Sequence, residues 1–354
     1  MNEETLAGYL LEELLAGLIQ NAGYRLLTDR SQDPHGLCKA RNGDLLVRGR
    51  GGNHQVDVLG EFKFVPTFSQ PVRLFVEAKA RRSITGLSIV RNAVGTIVDV
   101  NEAWMLDYST NRTRCHYRYA LFSVSGFTTP AQNYALAHQI SLVDLSGPEW
   151  ADLVQIAATG ASEFLARIQP PHGVFPVRRL RELLRNRLGT APALASPGAF
   201  APTADAAGVL RIDVDDFVAR FQGSVGAALL VSPASGQVQL ARPDSLRNFI
   251  DRVNIEPEHQ VTLSPVHQPA RGQAQTWVVR PLPSGAPDYA IRLTLPAAVE
   301  RAALAEGSRF VQVFKAKNEL GGRLDILWDP QGREAELLRG PRLFRLLFLG
   351  ANPR

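Results

Sequence analysis

Three charged side chains stand in otherwise apolar segments near the start of the chain. Glu77 and Lys79 interrupt the segment 73–80, and Asp57 interrupts a segment twenty residues upstream. Side chains two apart on a β-strand share a face, so Glu77 and Lys79 are expected to point the same way. If the two segments pair through the proline-bounded turn at 66–71, Asp57 comes to lie beside Glu77. The sequence therefore predicts two carboxylates and one ammonium in one place.

Such a cluster has two interpretations. Burying a charge is costly unless the charge is paired or holds a metal. Carboxylate oxygens are ligands that Mg²⁺ and Mn²⁺ prefer, and a lysine beside a metal-bound water suits hydrolytic chemistry. The alternative is a buried ion pair between Glu77 and Lys79 that merely satisfies itself.

The order of these residues resembles a known family. Asp57 followed by Glu77-Ala78-Lys79 is similar to the metal site of the PD-(D/E)XK nuclease superfamily, and the Mrr-like branch is the closer resemblance. The resemblance extends to an opening helix and to a last helix and strand, and it covers roughly residues 5–146. The matching segments are Gly8 to Glu12, Gly23-Tyr24, the glycine-rich 51–57, 126–131 and 135–144. His54 and Gln55, and the long aromatic segment 61–75, depart from the pattern and leave the substrate preference open.

The resemblance implies a Mg²⁺- or Mn²⁺-dependent endodeoxyribonuclease, either a prokaryotic restriction enzyme or an antiphage-defence effector. Asp57, Glu77 and the backbone carbonyl of Ala78 would hold the metal ion. Lys79 would orient or deprotonate the attacking water and offset the negative charge of the transition state.

Two further residues are candidate accessories to this site. Glu12, on the first helix, would approach the metal directly or through water, and the alternative is a solvated carboxylate next to Glu13. Gln55 is expected on the same face as Asp57, where it would contact a phosphate or a metal-bound water. The alternative is an ordinary polar side chain in contact with solvent.

Arginines in two segments are candidate contacts to a DNA backbone, because guanidinium groups neutralise phosphates. One group follows the motif strand and the other lies on a basic helix expected over 176–188; a solvated face is the alternative for each. The candidates are Arg81, Arg82, Arg91, Arg178, Arg179 and Arg181, with Arg185 and Arg187 further along the same helix.

The elements around these residues predict an α/β fold. Helical spacing covers 4–21 and 84–104, and strands are expected over 44–48, 54–64, 72–80, 117–124 and 140–145, with a helix over 130–138. That order favours a restriction-endonuclease-like α/β sandwich core, as the resemblance implies, in a domain spanning 1–188. A small-residue, proline-rich segment at 189–208 is interpreted as a flexible linker.

Residues 209–354 are predicted to form a separate α+β domain for targeting, sensing a signal or docking a partner. The sequence predicts a helix over 214–221, a strand over 310–315 and a short helix at the end.

Composition limits the class of protein. The 354 residues are 45% hydrophobic and 21% charged, which excludes disordered, collagen-like and coiled-coil classes. No apolar run is long enough to predict a membrane span. The start of the chain is acidic where a secretory signal is basic, and Cys38 and Cys115 make no disulfide framework. We therefore expect a cytoplasmic protein, and the net charge of +5 permits DNA as a partner without requiring it.

Three functions follow as hypotheses. The first is the nuclease, expected as a homodimer because cutting both strands requires two sites. The second is a non-catalytic protein that uses this fold to bind nucleic acid or a partner. The third is a nuclease that stays silent until a signal or an associated defence protein binds the C-terminal domain.

Overall fold

The computed structural model describes these parts of the chain: 1–41, 43–65, 68–103, 114–168, 175–191, 204–225, 228–233, 237–266, 276–295, 300, 309–329 and 342–350.

Helices and strands alternate in the first half of the chain. The helices there are α1 (Glu3–Asn21), α2 (Leu87–Glu102), α3 (Thr129–Ala137), α4 (Ala151–Arg167), α5 (Val177–Leu188) and α6 (Ala204–Val225). The strands are β1 (Tyr24–Leu26), β2 (Leu37–Lys39), β3 (Leu45–Arg48), β4 (Asn53–Gln55), β5 (Val58–Phe62), β6 (Val72–Lys79), β7 (His116–Ser123) and β8 (Ser141–Asp144). The mixed α/β class predicted from the sequence is confirmed.

A five-stranded sheet with the order β1-β5-β6-β7-β8 forms the centre of this half. β5 and β6 pair antiparallel, with Val58 opposite Val76, so the predicted pairing of the two segments is confirmed; residues 66 and 67 of the predicted turn lie outside the described residues. β6, β7 and β8 run parallel. Strands β2, β3 and β4 form a separate three-stranded sheet.

Helices cover both faces of the central sheet, which explains why its strands are apolar on both sides. On one face Leu74 and Val76 of β6 lie in the same apolar cluster as residues of α1, α4 and α5. On the other face Phe75 lies in a cluster with residues of α2 and α3. Glu77 and Lys79 continue the alternation of Phe75, so they share the face that α2 and α3 cover.

The first helix has clear start and stop signals. Asn2 caps it by accepting a hydrogen bond from the backbone N–H of Thr5 at 2.8 Å. Glu3 and Glu4 lie in its first turn, where negative charge favours the helix dipole. Gly23 follows the last turn at φ +83°, a left-handed conformation that glycine adopts without strain. The chain can therefore reverse directly into β1.

The second half of the chain contains a closed β-barrel. Its strands are β9 (Leu229–Pro233), β10 (Gln239–Pro243), β11 (Glu258–Pro265), β12 (Thr276–Pro281), β13 (Ile291–Thr294), β14 (Arg323–Trp328) and β15 (Arg342–Phe348), in the order β10-β13-β12-β11-β15-β14-β9. Two helices, α7 (Leu246–Ile255) and α8 (Arg309–Glu319), accompany the barrel. An interior of large side chains fills it, including Trp277, Phe249, Trp328 and Phe344.

Two predictions about this half are wrong. Residues 310–315, predicted as a strand, belong to helix α8, because Val313, Ala316 and Leu320 recur at helical spacing and pack on the barrel interior. The terminal helix is instead strand β15, in which the buried Phe344, Leu346 and Phe348 alternate with less buried neighbours.

Helix α6 changes where the two halves divide. It begins at Ala204, inside the segment predicted as a linker, and residues 192–203 of that segment lie outside the described residues. Val214, Phe217 and Val218 are buried in the apolar cluster of the first half. The proposed boundary at residue 209 therefore cuts a helix whose apolar side chains complete the N-terminal core.

Direct contacts also join the barrel to the central sheet. Lys63 bonds to the carboxylate of Asp329 at 2.5 Å, and the backbone N–H of Asp329 donates to the carbonyl of Asn21 at 2.7 Å.

Among the described residues, no helix has the length and apolar character needed to cross a membrane.

Candidate metal centre

Asp57 lies where the chain passes from one sheet to the other. β4 ends at Gln55 and β5 begins at Val58, so the strand predicted over 54–64 is broken at this residue. The backbone N–H of Asp57 donates to the carbonyl of Val76 at 3.3 Å. Its side-chain oxygen Oδ2 accepts a 2.8 Å hydrogen bond from the backbone N–H of Ala78. Strand β6 therefore fixes both the main chain and the carboxylate of Asp57.

Glu77 and Lys79 form an ion pair at the carboxyl end of β6. Oε1 of Glu77 contacts Nζ of Lys79, and the two side chains are 25% and 18% exposed. Oε2 of Glu77 accepts a hydrogen bond from the hydroxyl of Tyr119 on β7. Burial raises the pKa of Tyr119, and the neighbouring Glu77 raises it further, so the hydroxyl keeps its proton and donates it.

The pKa of Asp57 responds to the charges of both Glu77 and Lys79. Burial raises the pKa of Asp57 above its usual range, and the like charge of Glu77 adds to this effect. The Ala78 N–H and the positive charges of Lys79 and Arg181 oppose the shift. The structure therefore brings Asp57, Glu77 and Lys79 together, so that two carboxylates face one ammonium.

Glu12 reaches the same region from α1. Burial raises its pKa to about 8; Arg181 opposes the shift, and the negative charges of Asp57 and Glu13 reinforce it. The solvated position offered as the alternative is therefore wrong for Glu12. Any additional positive charge nearby would stabilise the ionised form of this carboxyl group.

Arg181, predicted to contact DNA, is directed into the protein. Its guanidinium bonds to Glu12 at 2.7 Å and to Glu13 at 2.6 Å, and it stacks over the ring of Tyr9 at 4.9 Å. Glu13 is 1% exposed, and Arg185 also bonds to it, at 2.8 Å. A buried carboxylate requires positive partners. Arg181 and Arg185 on α5 therefore serve Glu12 and Glu13.

The other arginine candidates are distributed as follows. Arg178 has a side chain that is 91% exposed and lies 3.4 Å from Glu182, and the less exposed Arg179 contacts Glu182 at 3.3 Å. Arg187 pairs with Asp215 at 2.6 Å. Arg81 and Arg82, which follow β6, and Arg91 on α2 are exposed, and the guanidinium of Arg91 lies over the ring of Tyr134.

A cavity of about 460 Å³ opens beside Asp57, between α1, α5 and the two sheets. Its lining mixes both signs of charge and includes Glu12, Asp57, Arg178, Arg181, Lys39 and Gln55. Gln55 is exposed and belongs to the three-stranded sheet, so it shares this cavity with Asp57 rather than a strand face.

The donor set fits a small divalent cation. In the described part of the chain, no three His, Cys, Asp or Glu side chains converge as a ready-made metal cage. Mg²⁺ does not require one, since it is usually bound by one or two carboxylates and keeps its waters or takes substrate phosphates. Asp57 and Glu77 supply those carboxylates, and a cation beside them would stabilise the ionised form of Asp57, which burial and the charge of Glu77 disfavour.

Sequence reasoning missed two participants. One is Tyr119: Tyr117 and Tyr119 are buried and alternate with the less buried His116 and Arg118, and a buried hydroxyl needs a partner. The other is Glu13, which the sequence analysis names only as the neighbour of Glu12 and which is buried. The four-residue spacing of Arg181 and Arg185, which places both on one helix face, was the available signal for a buried acidic partner.

Comparison with family models gives no match, and comparison with curated proteins gives none. Among solved structures, the chain is similar to a crystal structure described as a protein of unknown function, AF1548. The identity is 16%, the TM-score is 0.32, and the match covers 61% of this chain and 99% of the other.

Proposed function

We propose that this protein is a metal-dependent nuclease that hydrolyses phosphodiester bonds in DNA, built on the restriction-endonuclease-like sandwich of the Mrr-like branch. The observation that supports the proposal is the meeting of Asp57, Glu77 and Lys79 at the carboxyl end of β6. These residues come from segments twenty positions apart, and the register of β5 and β6 brings them together.

Each residue has a distinct task in the proposed reaction. Asp57 and Glu77 offer carboxylate oxygens to Mg²⁺ or Mn²⁺, and the Ala78 carbonyl is the third proposed ligand. The bound ion would act as a Lewis acid and lower the pKa of its water. The Ala78 N–H holds Asp57 in position. Lys79 orients the attacking water and offsets negative charge developing on the phosphate.

Substrate binding is assigned to the exposed arginines around this centre. Arg81 and Arg82 follow β6, Arg91 lies on α2, and the exposed Arg178 lies on α5 at the cavity beside Asp57. Their positive charges would bind successive phosphates independently of base sequence. A homodimer would supply the second active site for double-strand cleavage. The barrel would choose the target, sense a signal or bind a partner, as fits a cytoplasmic restriction or antiphage effector.

Cleavage of plasmid DNA by the full chain tests this proposal. We expect Mg²⁺-dependent cleavage that EDTA stops, and its loss in Lys79→Ala. Lys79→Arg should fail as well, since a guanidinium stays protonated and is broader than an ammonium. Lys315→Ala, which removes a lysine from helix α8 beside the barrel, is the matched control and should cleave normally. Cleavage by folded Lys79→Ala at the rate of the unmodified protein would show that the site is wrongly assigned.

A binding protein without catalysis is the second candidate. The observation that favours it is the contact between Glu77 and Lys79, which satisfies both charges without a metal. Such a protein would retain DNA on a filter or gel in Mg²⁺ without cutting it, and Lys79→Ala would leave that binding unchanged.

A further inference from the structure

Tyr119 places a hydroxyl inside the apolar part of the central sheet. The residue is 3% exposed, and its ring stacks on Phe75 with ring centroids 4.9 Å apart. The register pairs Tyr119 with Phe75, two residues before Glu77 and on the same face of the sheet. From there its hydroxyl reaches Oε2 of Glu77. The packing of the ring therefore determines where the hydroxyl lies.

This contact divides the two oxygens of Glu77 between two partners. Oε1 faces the ammonium of Lys79, and Oε2 accepts from Tyr119. A carboxylate held at both oxygens cannot turn freely about its last side-chain bond. Without the hydroxyl, Glu77 would be held by Lys79 alone and would follow that flexible side chain.

We propose that Tyr119 is a positioning residue that orients the Glu77 carboxylate for a divalent cation. The inference rests on the proposed function, and it concerns a residue that the family resemblance did not assign. Hydrogen-bond partners of metal ligands typically change metal affinity or activity by about 10- to 100-fold when removed. Tyr119→Phe should therefore weaken metal binding while the ring, and with it the packing on Phe75, stays in place.

Tyr117 offers a matched control on the same strand. It is also 3% exposed, and its hydroxyl accepts a 2.7 Å hydrogen bond from Arg73 at the opposite end of β6. Tyr117→Phe removes a buried hydroxyl without touching Glu77. Any effect common to both variants reflects stability, and an effect confined to Tyr119→Phe reflects the metal site.

The experiment measures Mn²⁺ affinity of the full chain without DNA, from the electron paramagnetic resonance signal of free Mn²⁺. We expect binding about 10-fold weaker in Tyr119→Phe than in the unmodified protein, and Tyr117→Phe within about twofold of it. In a Glu77→Gln background, Tyr119→Phe should cause no further loss, because residues acting as a unit are not additive. The Mg²⁺ concentration for half-maximal cleavage should rise by the same factor, with the rate restored at saturating Mg²⁺.

The outcomes separate this inference from the proposed function. Unmodified protein that binds Mn²⁺ and cleaves DNA, with Tyr119→Phe equal to it, overturns the inference alone. Equal weakening in the two phenylalanine variants overturns it as well, since it assigns both hydroxyls a structural role. Absence of Mn²⁺ binding in the unmodified protein overturns the proposed function and this inference with it.

Discussion

Both ends of strand β6 carry charged side chains, but those side chains have different partners. At the first end Arg73 is 5% exposed and bonds to Glu61 at 2.9 Å, to Asp33 at 2.5 Å and to the Tyr117 hydroxyl at 2.7 Å. At the other end Glu77 has one ammonium partner, and burial together with Glu77 raises the pKa of Asp57.

The difference separates a structural cluster from a candidate functional one. Arg73 lies between the carboxylates of Asp33 and Glu61, and Arg25 also pairs with Glu61, so two guanidinium groups face two carboxylates and the cluster fastens β5 and β7 to β6. Around Asp57 two carboxylates face the ammonium of Lys79, and burial disfavours the ionised form of Asp57, an arrangement that is typical of functional sites. We infer that the first cluster is built for folding and the second for binding a cation.

The largest effect is expected from breaking the structural cluster. Arg73→Met removes the guanidinium and leaves Asp33 and Glu61 without it, so the free energy of unfolding should fall by about 3–5 kcal/mol. Urea unfolding followed by circular dichroism measures the loss. A loss below about 1 kcal/mol would show that the cluster contributes little and would remove the contrast with the other end of the strand.

The opposite result is expected at the candidate metal centre. Asp57→Asn keeps the shape of the side chain and removes a carboxylate whose ionised form is unfavourable there. The free energy of unfolding without metal should therefore stay the same or increase at pH 7. Cleavage should fall at least about 100-fold, because a metal supplies several kcal/mol of transition-state stabilisation.

Single-turnover cleavage of a labelled duplex at saturating Mg²⁺ measures the rate for Asp57→Asn, with urea unfolding on the same preparation. Asp152→Asn removes an exposed carboxylate on α4 and is the control. A destabilised Asp57→Asn protein that still cleaves would assign Asp57 a structural role.

The raised pKa of Glu12 predicts a pH dependence of stability. Its pKa is about 8 in the folded protein against the ordinary 4.5 of a glutamate side chain, so between these pH values the folded state keeps a proton that the unfolded state has lost. The free energy of unfolding should fall as the pH rises through this window, by at most about 1.4 kcal/mol per pH unit. Glu12→Gln should remove that contribution, and Glu182→Gln, which changes a more exposed carboxylate on α5, should not.

Urea unfolding at several pH values from 5 to 8 measures this slope. Equal slopes in Glu12→Gln and the unmodified protein would show that Glu12 is ionised throughout. Saturating Mn²⁺ should flatten the slope of the unmodified protein if the cation lies near enough to favour the ionised carboxylate.

Much of the central sheet and its charged residues could be predicted from the sequence. Apolar runs with two charges at even spacing predicted β6, and the proline-bounded turn predicted its pairing with β5. Both signals are local along the chain. The position of α5 was not predictable in this way, because Arg181 meets Glu12 and Glu13 across some 170 residues of sequence.

The barrel shows the same limit. Its strands are short. The apolar residues of 310–315 fit both the strand period and the helix period, and the segment is helical because Ala316 and Leu320 pack into the interior of the barrel. The partnership of Tyr119 with Glu77 depends on the β6–β7 register, which no local pattern specifies.

The smallest effect is expected on α5, where Arg178 and Arg181 lie one turn apart but differ in exposure, at 91% and 16%. Arg178 is exposed, and if it binds a phosphate, Arg178→Ala should weaken DNA binding equally for all sequences and lower the slope of log affinity against log salt by about 1. Arg181 is engaged by Glu12 and Glu13, so Arg181→Met should lower the free energy of unfolding and leave the salt slope unchanged. Fluorescence anisotropy with a labelled duplex, in catalytically inactive Lys79→Ala protein at several salt concentrations, measures both slopes. A reduced slope in Arg181→Met but not in Arg178→Ala would mean that Arg181 contacts a phosphate when DNA binds. Its contacts with Glu12 and Glu13 would then open in the complex.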